Sequence, residues 1–126
     1  MENRFFICRR CGNQIGLLRN SGVPVSCCGQ TMEALVPNTV EASVEKHLPV
    51  VTVEANQLKV NVGSADHPMT AEHYIEWIYV QTENGGQRRA LQPDEAPNAV
   101  FCLGESKPVA VYAYCNLHGL WKRELN

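Results

Sequence analysis

The sequence predicts an all-β protein in two parts, a small metal-stapled module over residues 1–36 and a β-sandwich over residues 37–126. Three observations carry this reading. Four of the six cysteines, Cys8, Cys11, Cys27 and Cys28, fall in the first part. Short β-branched runs separated by turn residues fill the second. No window shows sustained helical periodicity; MTAEHY offers at most a single turn.

Residues 1–36 also hold Gly12, Gly16, Gly22 and Gly29 and show little apolar patterning. A segment this short buries too little apolar surface to offset its ordering entropy, so it needs a staple. A metal bound by the four cysteines supplies one. Cys8-x-x-Cys11 is a natural chelating knuckle, because both sulfurs reach one ion from a single tight turn. After fifteen intervening residues Cys27 and Cys28 are adjacent, and adjacent side chains diverge. Both reach the same ion only if the backbone twists and the tetrahedron distorts. On spacing alone a redox-inert structural zinc fits as well as iron.

Val36 to Ser43 reads as a connector, broken by Pro37 and Asn38. From about Glu41 onward the pattern is β. VVTVE and QLKVNV flank Ala55-Asn56 and predict a hairpin. YIEWIYVQT alternates, which puts His73, Ile75, Trp77 and Tyr79 on one face and Tyr74, Glu76, Ile78 and Val80 on the other. Residues 83–86 form a turn before a short QRRAL strand. NAVFCL and PVAVYAY follow, parted by residues 104–107, and LWKREL closes the series. Many short strands with frequent turns in about ninety residues fit a sandwich.

Composition narrows the function classes. Lys and Arg number 11 and Asp and Glu 13, giving 11 − 13 = −2 with the signs interspersed, so no basic tract marks a nucleic-acid groove. The longest apolar runs are too short to cross a bilayer. The start, MENRFFICRRC, has no apolar stretch of secretory type, and cysteines begin at position 8. The expectation is a cytoplasmic protein whose cysteines are reduced and mostly metal-bound.

All four histidines and the remaining two cysteines lie outside the module. His47, His67, His73 and His118 each sit where a loop meets a strand, and loop ends of a sandwich cluster in space. With Cys115 they make five donors around one ion and leave a sixth position free. Structural zinc closes with four ligands, whereas four imidazoles and one thiolate suit iron. A thiolate opposite an open face pushes electron density toward whatever binds there. Glu45 and Lys46 precede His47. As solvated charges they need no explanation; beside a metal, Lys46 attracts an anion and Glu45 can fill the vacant position.

These residues carry a resemblance. C-x-x-C with fifteen residues before CC, EKHLP, HP followed by His73, and CNLHG together resemble the desulfoferrodoxins, the two-iron superoxide reductases, over nearly the whole chain. The resemblance implies a desulforedoxin-like domain over residues 1–36 with iron on Cys8, Cys11, Cys27 and Cys28. It implies an immunoglobulin-like catalytic domain over residues 37–126 with iron on His47, His67, His73, Cys115 and His118, the last through its other ring nitrogen. The implied reaction is one-electron reduction of superoxide to hydrogen peroxide, without dismutation. Lys46 steers the substrate and organises a proton-donating water, Glu45 ligates the oxidised resting state, and the protein is a homodimer fed by a rubredoxin-type donor. Leu48 is a different apolar residue within EKHLP. Cys102 belongs to no motif and is expected to be a buried core thiol. The competing readings are a non-enzymatic rubredoxin-like electron carrier and a structural metal-binding module.

Overall fold

Residues 3–125 are described by the computed structural model, and the chain divides into two units, Met1–Val36 and Pro37–Asn126. In the first unit β1 (Phe5–Ile7) pairs antiparallel with β2 (Gln14–Gly16) and β5 (Glu33–Ala34). Between them, β3 (Ser26–Cys27) and β4 (Gln30–Thr31) form a minimal hairpin. Runs of two or three residues are too short for alternation to register, so the sequence shows none of these strands. Phe5, Ile7, Met32 and Leu35 are the large apolar side chains buried here. That is a small core for a segment of this length, which leaves the cysteine cluster to hold it.

The second unit begins at Pro37, and the next residue, Asn38, has a φ of 62°. Its side chain does more than break the chain: Nδ2 donates to Lys122 O (3.0 Å), and Lys122 N–H donates to Oδ1 (2.9 Å). One helical turn follows, α1 (Val44–His47), with Ser43 at its N-cap making no side-chain cap bond. The sequence gives no periodicity for it because a four-residue turn has none to give.

Two sheets then form. One is ordered β10-β7-β6, from β6 (Pro49–Glu54), β7 (Gln57–Val62) and β10 (Asn98–Cys102). The other is ordered β12-β11-β8-β9, from β8 (Ile75–Thr82), β9 (Gly85–Ala90), β11 (Pro108–Cys115) and β12 (Gly119–Glu124). All pairings are antiparallel, and Ala55-Asn56 is the two-residue turn between β6 and β7, with Ala55 at φ 53°. The predicted sandwich is thus the observed one. Its core joins Leu58, Val60, Val62, Ala99 and Phe101 of one sheet to Ile78, Val80, Val111 and Ala113 of the other. Burying each large member contributes about 1.5–3 kcal/mol.

Three local expectations are corrected. Ile75 joins Ile78 and Val80 in the core instead of lying opposite them. The cause is a register shift between Tyr114 and Cys115, where β11 pairs Tyr114 with Trp77 and then Cys115 with Ile75. The extra residue, Glu76, resets the alternation. Cys102 is exposed, not a core thiol. Along β10 the side chains of Ala99 and Phe101 turn inward, so Asn98, Val100 and Cys102 turn out. Gly85 and Gly86 already belong to β9, and a Cβ on Gly86 would overlap the Tyr79 hydroxyl.

Candidate metal centres

In the first unit the Sγ atoms of Cys8, Cys11, Cys27 and Cys28 all lie within 4.8 Å of one another. Cys11 and Cys27 are 3.6 Å apart and Cys27 and Cys28 4.0 Å, where a tetrahedral metal–thiolate site puts its sulfurs about 3.8 Å apart. No cysteine is disulfide-bonded. The twist that adjacent ligands require is present: Cys28 has φ 54° and Gly29 φ 75°. The knuckle turns on Gly12 (φ 86°), with Gly12 N–H donating to Cys8 O and Cys8 N–H to Asn13 O (both 2.8 Å). Asn13 N–H also points at Cys11 Sγ (3.4 Å).

The thiols cannot all ionise together unaided. Backbone N–H groups, that of Cys11 foremost, bring Cys8 down to about 6. Crowding by Cys11, Cys8 and Cys27 pushes Cys28 up to about 12. A cation at the centre removes this conflict by stabilising every thiolate at once.

The second cluster stands at one end of the sandwich. His47 closes α1, His67 follows β7, His73 precedes β8, Cys115 ends β11, and His118 lies in the tip between β11 and β12. Neighbouring rings meet nearly at right angles: His47 and His67 at 78°, His67 and His73 at 81°, His73 and His118 at 78°, His118 and His47 at 86°. Their centroids are 4.7–5.1 Å apart, while His47 and His73, across the ring, are 6.4 Å apart. Four blades in cyclic order describe a square. His47 Nε2 lies 3.2 Å from His67 Nε2 and 3.1 Å from His118 Nδ1. Adjacent corners of a square of nitrogens around a metal fall about 3.0 Å apart. Cys115 Sγ sits 3.9 Å from His118 Nδ1 and within 4.8 Å of the ligand nitrogens of His47, His67 and His73.

The tautomers show that this square is built for a cation. His47 Nδ1 faces Ser43 O (2.6 Å) and His67 Nδ1 faces Pro68 O (2.7 Å), so each Nδ1 carries the hydrogen. Both Nε2 lone pairs then point at one another across 3.2 Å with no proton between them. His73 Nε2 is buried without any hydrogen-bond partner. Burial holds His67 down at about 4 and lowers His47 and His73 as well, so all three imidazoles are neutral and ready to ligate. Burial raises the Cys115 thiol, while the backbone N–H groups of His118 and Leu117 pull the other way. Stacking of Trp121 on His47 (5.0 Å, 27°) fixes that ring further.

Glu45 and Lys46 are exposed on α1. After burial and the other rings, the Lys46 charge contributes to depressing both His47 and His73, which places its ammonium within electrostatic reach of the square. The turn that carries it is pinned from the His67 loop: Ala65 N–H (2.9 Å) and Ser64 Oγ (3.2 Å) both donate to Glu45 O. Gly63 lies so close beneath that a Cβ there would meet Glu45 O at 2.6 Å and Leu48 O at 2.9 Å. Sequence reasoning missed this seat, the carbonyl partners of His47 and His67, and Trp121. Only the glycine in VGSADHP hinted at a close backbone approach.

Comparison with known proteins agrees with this chemistry. Residues 39–124 match the family model described as Desulfoferrodoxin. Desulfoferrodoxin of Nitratidesulfovibrio vulgaris is 42% identical over 126 residues, covering 98% of this chain and 99% of that protein. A superoxide reductase of Pyrococcus horikoshii is 40% identical over 100 residues, covering 64% of this chain and 86% of its own. Among solved structures, the superoxide reductase from Treponema pallidum superposes with a TM-score of 0.82 at 38% identity, covering 98% of this chain and 100% of that one.

Proposed function

The chain belongs to the desulfoferrodoxin family, and from that premise and its two donor clusters we infer that it is a superoxide reductase with two non-haem irons. One iron takes Cys8, Cys11, Cys27 and Cys28. The other takes His47, His67, His73, His118 and Cys115. The observation that carries the reading is the square of four imidazoles with a single thiolate beside it, a set of five donors that would suit iron and leave it a free position. When bound there, iron supplies the one electron that, with two protons, converts superoxide to hydrogen peroxide.

The protein's own groups prepare that step. Ser43 O and Pro68 O hold two rings in the ligating tautomer, and Leu117 and His118 N–H groups favour the thiolate of Cys115. Lys46 draws the anion toward the open face, stabilises its negative charge, and stands at the solvent edge from which protons are delivered. Glu45, one residue earlier, would be available as a carboxylate ligand to an oxidised iron bound there. Its backbone is held by Ala65 and Ser64, which leaves the side chain free to swing.

An iron on the four cysteines would carry electrons. Exposure of Cys11 and Cys28 supports electron entry there from a rubredoxin-type donor. The family resemblance supports a homodimer in the cytoplasm, detoxifying superoxide under oxidative stress. Among the described residues no helix is long and apolar enough to cross a membrane. An electron carrier alone would leave the histidine square unexplained. The test is product stoichiometry with the pre-reduced protein. Reduction gives one peroxide per superoxide and no oxygen; evolution of oxygen would identify dismutation instead.

A further inference from the structure

A ligating imidazole is ordinarily aimed by a hydrogen bond from the nitrogen that does not face the metal. His47 and His67 have such bonds, to Ser43 O and Pro68 O. His73 differs: its Nε2 is buried and faces the other rings, but among the described residues no hydrogen bond holds its Nδ1, so its aim depends on its backbone. One side chain holds that backbone on both sides. Asn116 Nδ2 donates to Glu72 O (2.9 Å), and Tyr74 N–H donates to Asn116 Oδ1 (3.0 Å). Asn116 N–H also donates to Tyr74 O (3.2 Å). Thr70 adds a local brace, accepting from His73 N–H at Oγ1 (3.1 Å).

The sheet explains why a side chain is needed. After the shift that pairs Cys115 with Ile75, the chain must leave β11, turn through residues 116–118 and return at Gly119. Backbone pairing with Tyr74 is reduced there to the single bond from Asn116 N–H. A carboxamide carries the same acceptor and donor as a peptide group. With its own N–H, Asn116 therefore pairs with both the N–H and the C=O of Tyr74 as a strand residue would. Its backbone meanwhile turns to bring His118 to the square.

We propose that Asn116 is a positioning residue of the histidine-site iron, its amide locking the Glu72–Tyr74 segment to Cys115 so that His73 and the Cys115 thiolate would meet a bound metal in fixed relation. The proposal rests on the reading of His73 and Cys115 as ligands of that iron.

The test is Asn116→Ala in the iron-loaded full chain, with three readouts. Iron retention at the histidine site against a chelator is expected to fall about tenfold. The thiolate-to-iron absorption band should shift, with the four-cysteine absorption unmoved. Hydrogen exchange of the Tyr74 amide should accelerate even without metal. A purely structural loss would lower the melting temperature and leave the thiolate band in place, and so would overturn the proposal. Asn116→Asp keeps the acceptor for Tyr74 and loses the donor to Glu72, and is expected to fall between; it also serves if the alanine variant does not fold. Iron retention within about twofold and an unmoved band in both variants overturn the clamp. A parent chain that holds no iron on the five ligands overturns the reductase reading and the clamp with it, so the parent tells the two failures apart.

Discussion

The two centres of this chain are built in opposite ways. The four-cysteine site draws its ligands from 21 consecutive residues, Cys8 to Cys28, in a unit with few buried side chains. The histidine site draws its ligands from His47 to His118, across both sheets of a sandwich with a full core. In the first, metal makes the fold; in the second, the fold makes the metal site. Local ligands need only a tight turn, so the metal can organise a segment that would not fold alone. Scattered ligands must be brought together first, and the core provides the energy for holding neutral, mutually repelling lone pairs face to face.

The largest expected effect follows directly. Stripping metal should unfold Met1–Val36, since binding free energy on the order of 10 kcal/mol is folding free energy there. The sandwich should stay folded. Amide exchange resolved by unit checks this, and a first unit still protected without metal would break the contrast.

Acid should sharpen it. Burial lowers His67 from an ordinary 6.5 to about 4, and lowers His47 and His73 too. Above 6.5 folded and unfolded chains are alike neutral at His67. As pH falls, the unfolded chain takes up a proton that the folded one refuses, so stability declines from 6.5 until about 4. The urea midpoint of the metal-free sandwich should therefore drop across that range. A flat profile would mean that the rings are not held neutral by the fold.

Gly63→Ala should destabilise the sandwich by about 1–3 kcal/mol, because its Cβ must push aside the turn carrying His47. Iron should be lost from the histidine site only. Loss from both centres, followed by metal analysis, would show that the seat is not local to α1. The smallest effect is kinetic. Lys46→Ala should slow the reaction with superoxide about tenfold and flatten its ionic-strength dependence, with both irons retained. An unchanged rate would remove Lys46 from steering.

Legibility in the sequence follows the same division. The cysteine pairs could be read because a knuckle is local, and even the strain at Cys28 follows from adjacency. The strands of the sandwich were legible from β-branched runs and turns. The histidines could be located at loop ends, but their cyclic order and the nitrogen each presents depend on how α1, β8 and β11 pack. Alternation fails at Ile75, where a bulge opposite Cys115 resets the phase, and holds along β10, where it turns Cys102 outward. Asn116 carries no signal inside CNLHG because its partners lie more than forty residues away.

The central claim is that superoxide is reduced at the histidine site and that the four-cysteine site is dispensable for that step. Single-turnover mixing of superoxide with two pre-reduced variants tests it most directly. Cys11→Ser should keep the rate of the parent even though its first unit loses metal. His73→Ala should lose about a hundredfold or more with the four-cysteine absorption intact. Full activity in His73→Ala together with loss in Cys11→Ser would contradict the claim and move the chemistry to the other iron.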